Sequence, residues 1–267
     1  MLGRHQREPD LVESDIRMEG PTGVEHMKSG VRANQLLAGL NDHDRARIGA
    51  LLEPAQLVLG EHLEKPSTAV PYVYFVETGL ISVVAVSKRK RRAEVGLIGN
   101  EGVTGIGILF GLGSSPYELM VQGAGSAQRI EVKRLRETMN ASASLREHLH
   151  RFAYVFFTQA THTALANAVG RLEERLARWL LMAHDRLAGD GLALTHEFLS
   201  LMLAVRRSGV TVATHLLEGK GLIRAQRGLI TVLDREGLIA AANGLYGIPE
   251  DEYARVMSAP AAMRRAS

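Results

Sequence analysis

Short apolar stretches alternate with glycine-rich turns between residues 56 and 132. Strands at roughly 8–12-residue spacing, separated by turn residues, are typical of an antiparallel sandwich or roll. The stretches are Leu57–Leu59, Val70–Val76, Leu80–Val86, Glu94–Ile98, Ile106–Phe110, Tyr117–Val121 and Ala127–Val132. Ahead of them, Asn41 is expected to cap a helix that has Asp42 and Asp44 in its first turn. The pattern predicts an α+β fold with an antiparallel, jelly-roll-like β-roll.

After Ser142 the hydrophobic period becomes helical. Apolar and small residues then recur at intervals of three and four, the a/d pattern of a coiled coil. We expect a long helix over residues 142–170 that forms a dimer through this stripe, because the adjacent Phe156 and Phe157 are hard to bury in one direction. The alternative is that the helix packs on its own roll. The predicted dimer interface consists of Leu145, Leu149, Phe152, Phe156, Gln159 and Thr163. Gly170 is expected to act as a hinge before a second amphipathic helix.

The segment from Leu194 to Asp234 predicts a winged helix-turn-helix. A short helix over 196–203 follows Thr195, a tight turn follows at Ala204-Val205, and a second helix begins at Arg206. Two apolar stretches then flank Arg224–Gly228 as a β-hairpin. Helix, turn, helix and two-stranded wing is the order of that motif.

The second helix of this module has a basic and polar face. Arginine forms two hydrogen bonds with guanine, and hydroxyl groups bond to bases or phosphates. The candidate DNA-binding residues are Arg206, Arg207, Ser208, Thr211 and His215 on the helix, with Arg224, Gln226 and Arg227 on the wing. A helical hairpin in an ordinary C-terminal core is the alternative for the same pattern.

The sequence LTHEFLSLMLAVRRSGVTVATHLLEGKGLIRAQRGLITVLD, from Leu194 to Asp234, resembles the DNA-binding domain of the Crp/Fnr superfamily of transcription regulators. Tyr74–Gly79 is also similar to the strand and turn that precede the centre of the family's roll. The resemblance covers about residues 34–240. It implies that Arg207 reads a base and that Thr195 and His196 lie near phosphate.

Three positions differ from the family pattern. Ser208 stands where many members have glutamate, and Val212 where many have arginine, which implies a different operator sequence. Ala204 replaces the usual turn glycine. If that residue has a positive φ, it costs on the order of 1 kcal/mol.

The cyclic-nucleotide signature of the family is missing from the predicted roll. The matching segments give Gly99, Thr104, Tyr117 and Glu118 as a possible effector pocket, with Tyr117 and Glu118 at the arginine–serine positions that hold the cyclic phosphate. A carboxylate facing a phosphate would repel it, so we expect an effector other than cyclic AMP, or none. The chain has no cysteine, which excludes the iron–sulfur oxygen-sensing branch.

Composition adds few constraints. The formal net charge of +3 suits a polyanionic partner, and the charged N-terminus has no signal-peptide core, so a cytoplasmic location is expected. Residues 70–132 contain no histidine, which argues against a cupin-type metalloenzyme. We therefore expect no enzymatic activity, cofactor or metal. The expected partners are double-stranded DNA and a second copy of the chain, with RNA polymerase and an unknown small-molecule effector as further candidates and no membrane. A signalling module whose winged helix binds protein is the alternative function.

These patterns divide the chain into five parts. We predict a flexible extension over 1–30, a cyclic-nucleotide-binding-like sensor domain over 31–141, a dimerisation helix over 142–170, a winged helix-turn-helix over 171–245 and a tail over 246–267. The basic run Lys88–Arg92 is expected at a hairpin tip, either as a solvated turn or as an extra contact with phosphate or an acidic partner.

Overall fold

The computed structural model describes residues 33–257, so the expected N-terminal extension lies outside the described residues. The first domain is a roll of two antiparallel sheets, with strand orders β1-β7-β3 and β2-β6-β4-β5. Its strands are β1 Glu53–Leu57, β2 His62–Glu64, β3 Tyr72–Val76, β4 Leu80–Val86, β5 Arg92–Ile98, β6 Tyr117–Gly123 and β7 Gly125–Glu131. The predicted α+β fold with an antiparallel roll is confirmed.

A turn glycine lets the connection between β3 and β4 approach the end of β6 closely. Gly79 has a φ of +96°, and a Cβ there would lie 2.5 Å from the carbonyl oxygen of Gly123. The basic run Lys88–Arg92 lies at the turn between β4 and β5, as predicted. Arg92 at its end forms a 2.9 Å ion pair with Glu118 of β6.

Two of the predicted strands differ from the structure. The stretch Ile106–Phe110 forms the short helix α3, Ile106–Leu109, which follows Gly105 in the left-handed conformation. Short apolar stretches do not distinguish strand from helix, and here the two buried side chains, Ile108 and Leu109, turn onto the roll core. The predicted strand Leu57–Leu59 is shifted in the structure. The observed strand β1 covers Glu53–Leu57, and Val58 and Leu59 lie beyond its end, where both are exposed.

Two short helices precede the roll, α1 Gln35–Ala38 and α2 Asp42–Gly49. Asn41 caps α2 as predicted, because its side-chain oxygen accepts a 2.8 Å hydrogen bond from the Asp44 amide. Asn34 caps α1 and also donates to the carbonyl oxygens of Val76 and Gly102, both at 2.8 Å. The two buried hydrogen bonds from Asn34 hold α1 on the roll.

The roll leads through α4, Val132–Ala141, into the long helix α5, Ala143–Val169. The predicted dimer stripe lies on the side of α5 that packs on its own roll: Leu145, Leu149, Phe152, Phe156 and Gln159 are all buried. Gln159 accepts a 2.6 Å hydrogen bond from the Leu97 amide and donates to the Leu97 carbonyl. Thr163 is half-buried and donates to the Gln159 carbonyl. These side chains are therefore packed within the chain, which is the alternative that the sequence pattern left open.

The opposite face of α5 is exposed. It carries Tyr154, Phe157, Thr161, Ala164 and Ala168, again at intervals of three and four residues, with Leu165 beside them. Phe157 is 64% exposed, whereas its neighbour Phe156 is 8% exposed. The two phenylalanines thus face in different directions, as the sequence suggested, and Phe156 is the one that packs on the roll.

The C-terminal domain has its own core around α6, Leu172–Arg186. Gly170, the predicted hinge, forms the C-cap of α5 in an extended conformation. A three-stranded sheet of order β8-β10-β9 completes the domain. The remaining elements are β8 Gly191–Leu192, α7 His196–Met202, α8 Arg207–Gly219, β9 Ile223–Gln226, β10 Leu229–Val232 and α9 Arg235–Ala241.

The segment predicted as a tail contains a helix, α10, Ile248–Met257. It lies against α5: the Tyr154 hydroxyl donates to Glu252 at 2.9 Å, and the Tyr253 hydroxyl donates to the Glu101 carbonyl at 3.0 Å. The last helix of the described chain thus contacts the first domain. Over the described range 33–257, no helix is both long and apolar enough to cross a membrane.

Candidate DNA-binding surface

The two helices of the C-terminal module, α7 and α8, meet at a tight turn. Thr195 caps α7, because its hydroxyl oxygen accepts a 3.1 Å hydrogen bond from the Phe198 amide. The turn closes through the Val205 amide, which donates to the Ser200 carbonyl at 2.9 Å. Ala204 within it has a φ of +51°, the left-handed conformation that favours glycine. The expectation of a positive φ at this position is confirmed.

Helix α8 has one face in the domain core and one in solvent. Val210, Ala213, Thr214 and Leu217 are buried against α6 and α7. The exposed face begins with Arg206, Arg207 and Ser208 and continues to His215. No acidic residue lies in the first turn of α8. The N-terminal part of the helix is thus basic and accessible, the arrangement that a recognition helix requires.

Two apolar side chains also lie on this exposed face. Val212 is 61% exposed and Leu216 is 47% exposed. The adjacent Leu217, by contrast, is 0% exposed and packs in the domain core. A solvent-facing apolar side chain on such a helix can contact the methyl group of thymine.

Thr211 and His196 connect the two helices. The Thr211 hydroxyl lies 3.2 Å from the Arg207 carbonyl oxygen and 3.1 Å from Nδ1 of His196. Partial burial, together with the positive charges of Arg207 and His215, lowers the pKa of His196. His196 is therefore mainly neutral at pH 7. Both side chains are half-buried, and their contact links α7 to α8.

The wing is the hairpin of β9 and β10. Leu229 pairs with Gln226 and Thr231 with Arg224. The exposed side chains at its tip are Arg224, Gln226 and Arg227, and Gly228 takes a φ of +75° in the turn. Glu218 of α8 accepts a 2.9 Å hydrogen bond from the Ala225 amide, which fixes the wing to the helix. The structure thus places both groups of predicted basic residues on one module.

The predicted effector-pocket residues do not come together. Gly99 lies against Arg186, and Thr104 is fully buried, where its hydroxyl oxygen accepts a hydrogen bond from the Tyr74 amide. Glu118 is 3% exposed, forms an ion pair with Arg92 at 2.9 Å and lies 2.9 Å from Nδ1 of His62. Of the predicted residues, Tyr117 alone lines the cavity between the roll and α5, which has a volume of about 590 Å³.

Sequence reasoning missed the acidic residue of this cavity, Glu64. Neighbouring residues of a strand face opposite sides, so Tyr117 and Leu119 of β6 face the cavity and Glu118 does not. Glu64 comes from β2, a three-residue strand with no alternating pattern to predict it. No cluster of three potential metal ligands occurs within residues 33–257.

Comparison with known proteins supports this description. Residues 174–241 match the model of the Crp-like helix-turn-helix domain. A protein from Eubacterium rectale assigned to the Crp/Fnr family has 17% identity and a TM-score of 0.62, covering 78% of this chain and 98% of that one. No curated protein sequence gives a significant match.

Two further solved structures are similar. The c-di-GMP-responsive global regulator CLP of Xanthomonas campestris has 17% identity and a TM-score of 0.59, covering 72% of this chain and 99% of that one. FixK2 of Bradyrhizobium japonicum has 19% identity and a TM-score of 0.60, covering 71% of this chain and 96% of that one. At these identities the likeness concerns the fold.

Fold and site together define a winged helix-turn-helix protein with a β-roll and a long connecting helix. The chain has the fold of the Crp/Fnr family of transcription regulators and carries a Crp-like helix-turn-helix domain.

Proposed function

We propose that this protein is a transcription regulator that binds a pseudo-palindromic DNA operator as a homodimer. The observation that carries the proposal is the exposed basic start of α8, where Arg206, Arg207 and Ser208 are all accessible. In a helix-turn-helix protein, the N-terminal residues of the second helix contact base edges in the major groove. Such a regulator is not an enzyme, and it acts in the cytoplasm.

In the proposed complex with DNA, the residues of the C-terminal module have different roles. Arg207 is proposed to bond to guanine, while Val212 and Leu216 contact thymine methyl groups. Arg224 and Arg227 on the wing contact phosphates, with Gln226 beside them, and Thr195 lies near the backbone at the start of α7. His196 and Thr211 position α8 through their mutual contact. Ser208 and His215 complete the exposed helix face.

The dimer is proposed to form through the exposed stripe of α5, defined by Tyr154, Phe157, Thr161, Ala164 and Ala168. Intervals of three and four residues place these side chains in a single seam, as in a two-stranded coiled coil. Leaving Phe157 64% exposed in a monomer would be unfavourable, and a second copy of the helix would bury it. The symmetric pairing would place two copies of α8 about 34 Å apart, one turn of DNA.

Selection of bound sequences from a random pool of double-stranded DNA tests this function. We expect an inverted-repeat consensus with half-sites one helical turn apart. Affinity for the selected site should fall steeply between 50 and 200 mM salt, because several arginines displace counterions from phosphate. Recovery of random sequences with no enrichment would contradict the proposal and favour a winged helix that binds protein.

A further inference from the structure

The cavity between the roll and α5 contains a buried carboxyl group with an unused hydrogen-bonding atom. Glu64 is 4% exposed, and its Oε2 accepts a 3.1 Å hydrogen bond from the Ser115 hydroxyl. Its Oε1 has no hydrogen-bond partner among the described residues. Leaving a buried carboxylate oxygen unpaired is unfavourable, and a hydrogen-bond donor that entered the cavity would remove this cost.

The rest of the cavity is apolar and aromatic. Phe110 and His150 stack at one wall with their ring centroids 5.3 Å apart, and Phe157 lies at another. His150 is held by a 2.9 Å hydrogen bond between its Nε2 and the Leu109 carbonyl, in which Nε2 is the donor. These rings form a surface on which a flat ligand can stack.

Charge decides what kind of ligand suits this cavity. No lysine or arginine is among the described residues that line it, and Glu64 is the one carboxylate there. Recognition of phosphate or carboxylate needs guanidinium, ammonium or several backbone amides. Burial raises the pKa of Glu64, while the hydrogen bond from Ser115 and the nearby backbone of Gly105 act in the opposite direction. A positive charge beside Oε1 would stabilise the ionised form, whereas a negative charge would repel it.

We propose that this cavity binds a small molecule with an aromatic body and a cationic amine head, and that the amine donates a hydrogen bond to Oε1 of Glu64. The volume of about 590 Å³ accommodates a one- or two-ring compound. This inference rests on the proposed function only in assigning the ligand an effector role. Tyr154 and Phe157 line the cavity and also belong to the proposed dimer stripe, so the ligand would contact the seam directly.

The test uses the full-length protein without DNA and two matched pairs of probes. These are 2-phenylethylamine with phenylacetate and tryptamine with indole-3-acetate, and cyclic AMP is added as a further anion. We expect at least one amine at saturation to raise the melting temperature by about 3 °C or more, while its anionic partner and cyclic AMP have no effect. Absence of stabilisation by both amines, or equal stabilisation by the anions, would overturn the proposal.

Calorimetric titration of two carboxamide variants locates the site. Glu64→Gln keeps the shape and the Ser115 partner but loses the charge, and we expect it to weaken amine binding about tenfold or more. Glu61→Gln removes an exposed carboxylate close by in the chain and should leave binding unchanged. If Glu64→Gln binds the amine as tightly as wild type, the assignment is wrong.

A third variant fills the cavity without changing Glu64. Ala160 lines the cavity from α5, and Ala160→Phe should abolish stabilisation by the amine while Glu64 remains in place. Undiminished amine binding by this variant would overturn the location. DNA affinity is measured separately in the absence of amine, so normal operator binding without any amine effect would contradict the ligand assignment alone.

Discussion

The indole N–H of Trp179 donates a 2.6 Å hydrogen bond to the carboxyl group of Glu94. Trp179 lies on α6 of the C-terminal domain and Glu94 on β5 of the roll, and both are buried. The Ser82 hydroxyl donates a second hydrogen bond, at 2.5 Å, to the other carboxyl oxygen. The pair connects the sheet of the roll directly to the first helix of the C-terminal domain.

The first prediction concerns the pH dependence of stability. Burial raises the pKa of Glu94 to about 7, from 4.5 in the unfolded chain, despite the opposing hydrogen bonds from Ser82 and Trp179. The folded state therefore binds the proton more tightly. The contribution of this group to stability is complete below pH 4.5 and is lost as the pH rises to about 7. Relative to Glu94→Gln, wild type should lose about 2–3 kcal/mol of unfolding free energy between pH 5 and pH 8.

Urea denaturation at the two pH values measures this difference. Glutamine keeps an acceptor for Trp179 and does not titrate. The pH dependence of the unfolding free energy of Glu94→Gln therefore reports the contribution of all the other titratable groups. Glu137→Gln, at an exposed position on α4, should follow wild type at both pH values. If Glu94→Gln shows the same pH dependence as wild type, Glu94 does not titrate in this range.

The second prediction concerns Ala204 in the turn between α7 and α8. Because its φ is +51°, replacement by glycine removes steric strain. Ala204→Gly should increase the free energy of unfolding by about 1 kcal/mol. The matched control is Ala46→Gly at an exposed helical position of α2, which should decrease it by about 1 kcal/mol. Equal destabilisation by both substitutions in chemical denaturation would show that the turn is not strained.

The third prediction separates the two faces of α5. Phe157→Glu places a charge in the proposed seam and should convert the dimer to a monomer, as measured by sedimentation equilibrium. Its operator affinity should fall as well, because half-site binding by one subunit is weaker. Val58→Glu, at an equally exposed apolar position of the roll, is the matched control and should remain dimeric. A dimeric Phe157→Glu protein would exclude this stripe as the interface.

The fourth prediction concerns Phe152, which belonged to the stripe expected from sequence. It is 3% exposed and packs within the roll core, in contact with the backbone at Gly102. Phe152→Ala should therefore lower the free energy of unfolding by about 3–5 kcal/mol. Denaturation at several protein concentrations measures this loss. A normal stability combined with loss of the dimer would instead support the original stripe.

The C-terminal module could be predicted from sequence because its signals are local. Helix spacing, the turn at Ala204 and the basic wing all lie within 41 consecutive residues from Leu194 to Asp234, and their order specifies the motif. The sequence also predicted an antiparallel roll, because the short strands and the glycines that separate them are local signals as well.

The features that sequence could not predict depend on tertiary packing. Helix α5 carries apolar residues on two sides, so its period alone cannot tell which stripe meets the roll and which remains exposed. Leu216 and Leu217 are adjacent, and a small rotation of α8 decides which of them is buried. The cavity carboxylate was assigned to Glu118 rather than Glu64, because strand register decides which face each side chain takes.

The central claim is that the start of α8 reads DNA sequence, and the most direct test compares Arg207→Ala with Arg227→Ala. Fluorescence anisotropy would measure their affinities for the selected operator and for each single base-pair substitution in one half-site. We predict that Arg207→Ala loses about 5- to 150-fold on the operator and no longer discriminates at one base pair. Arg227→Ala on the wing should weaken all sites by a similar factor. Uniform weakening by Arg207→Ala, with discrimination intact at every base pair, would contradict the account.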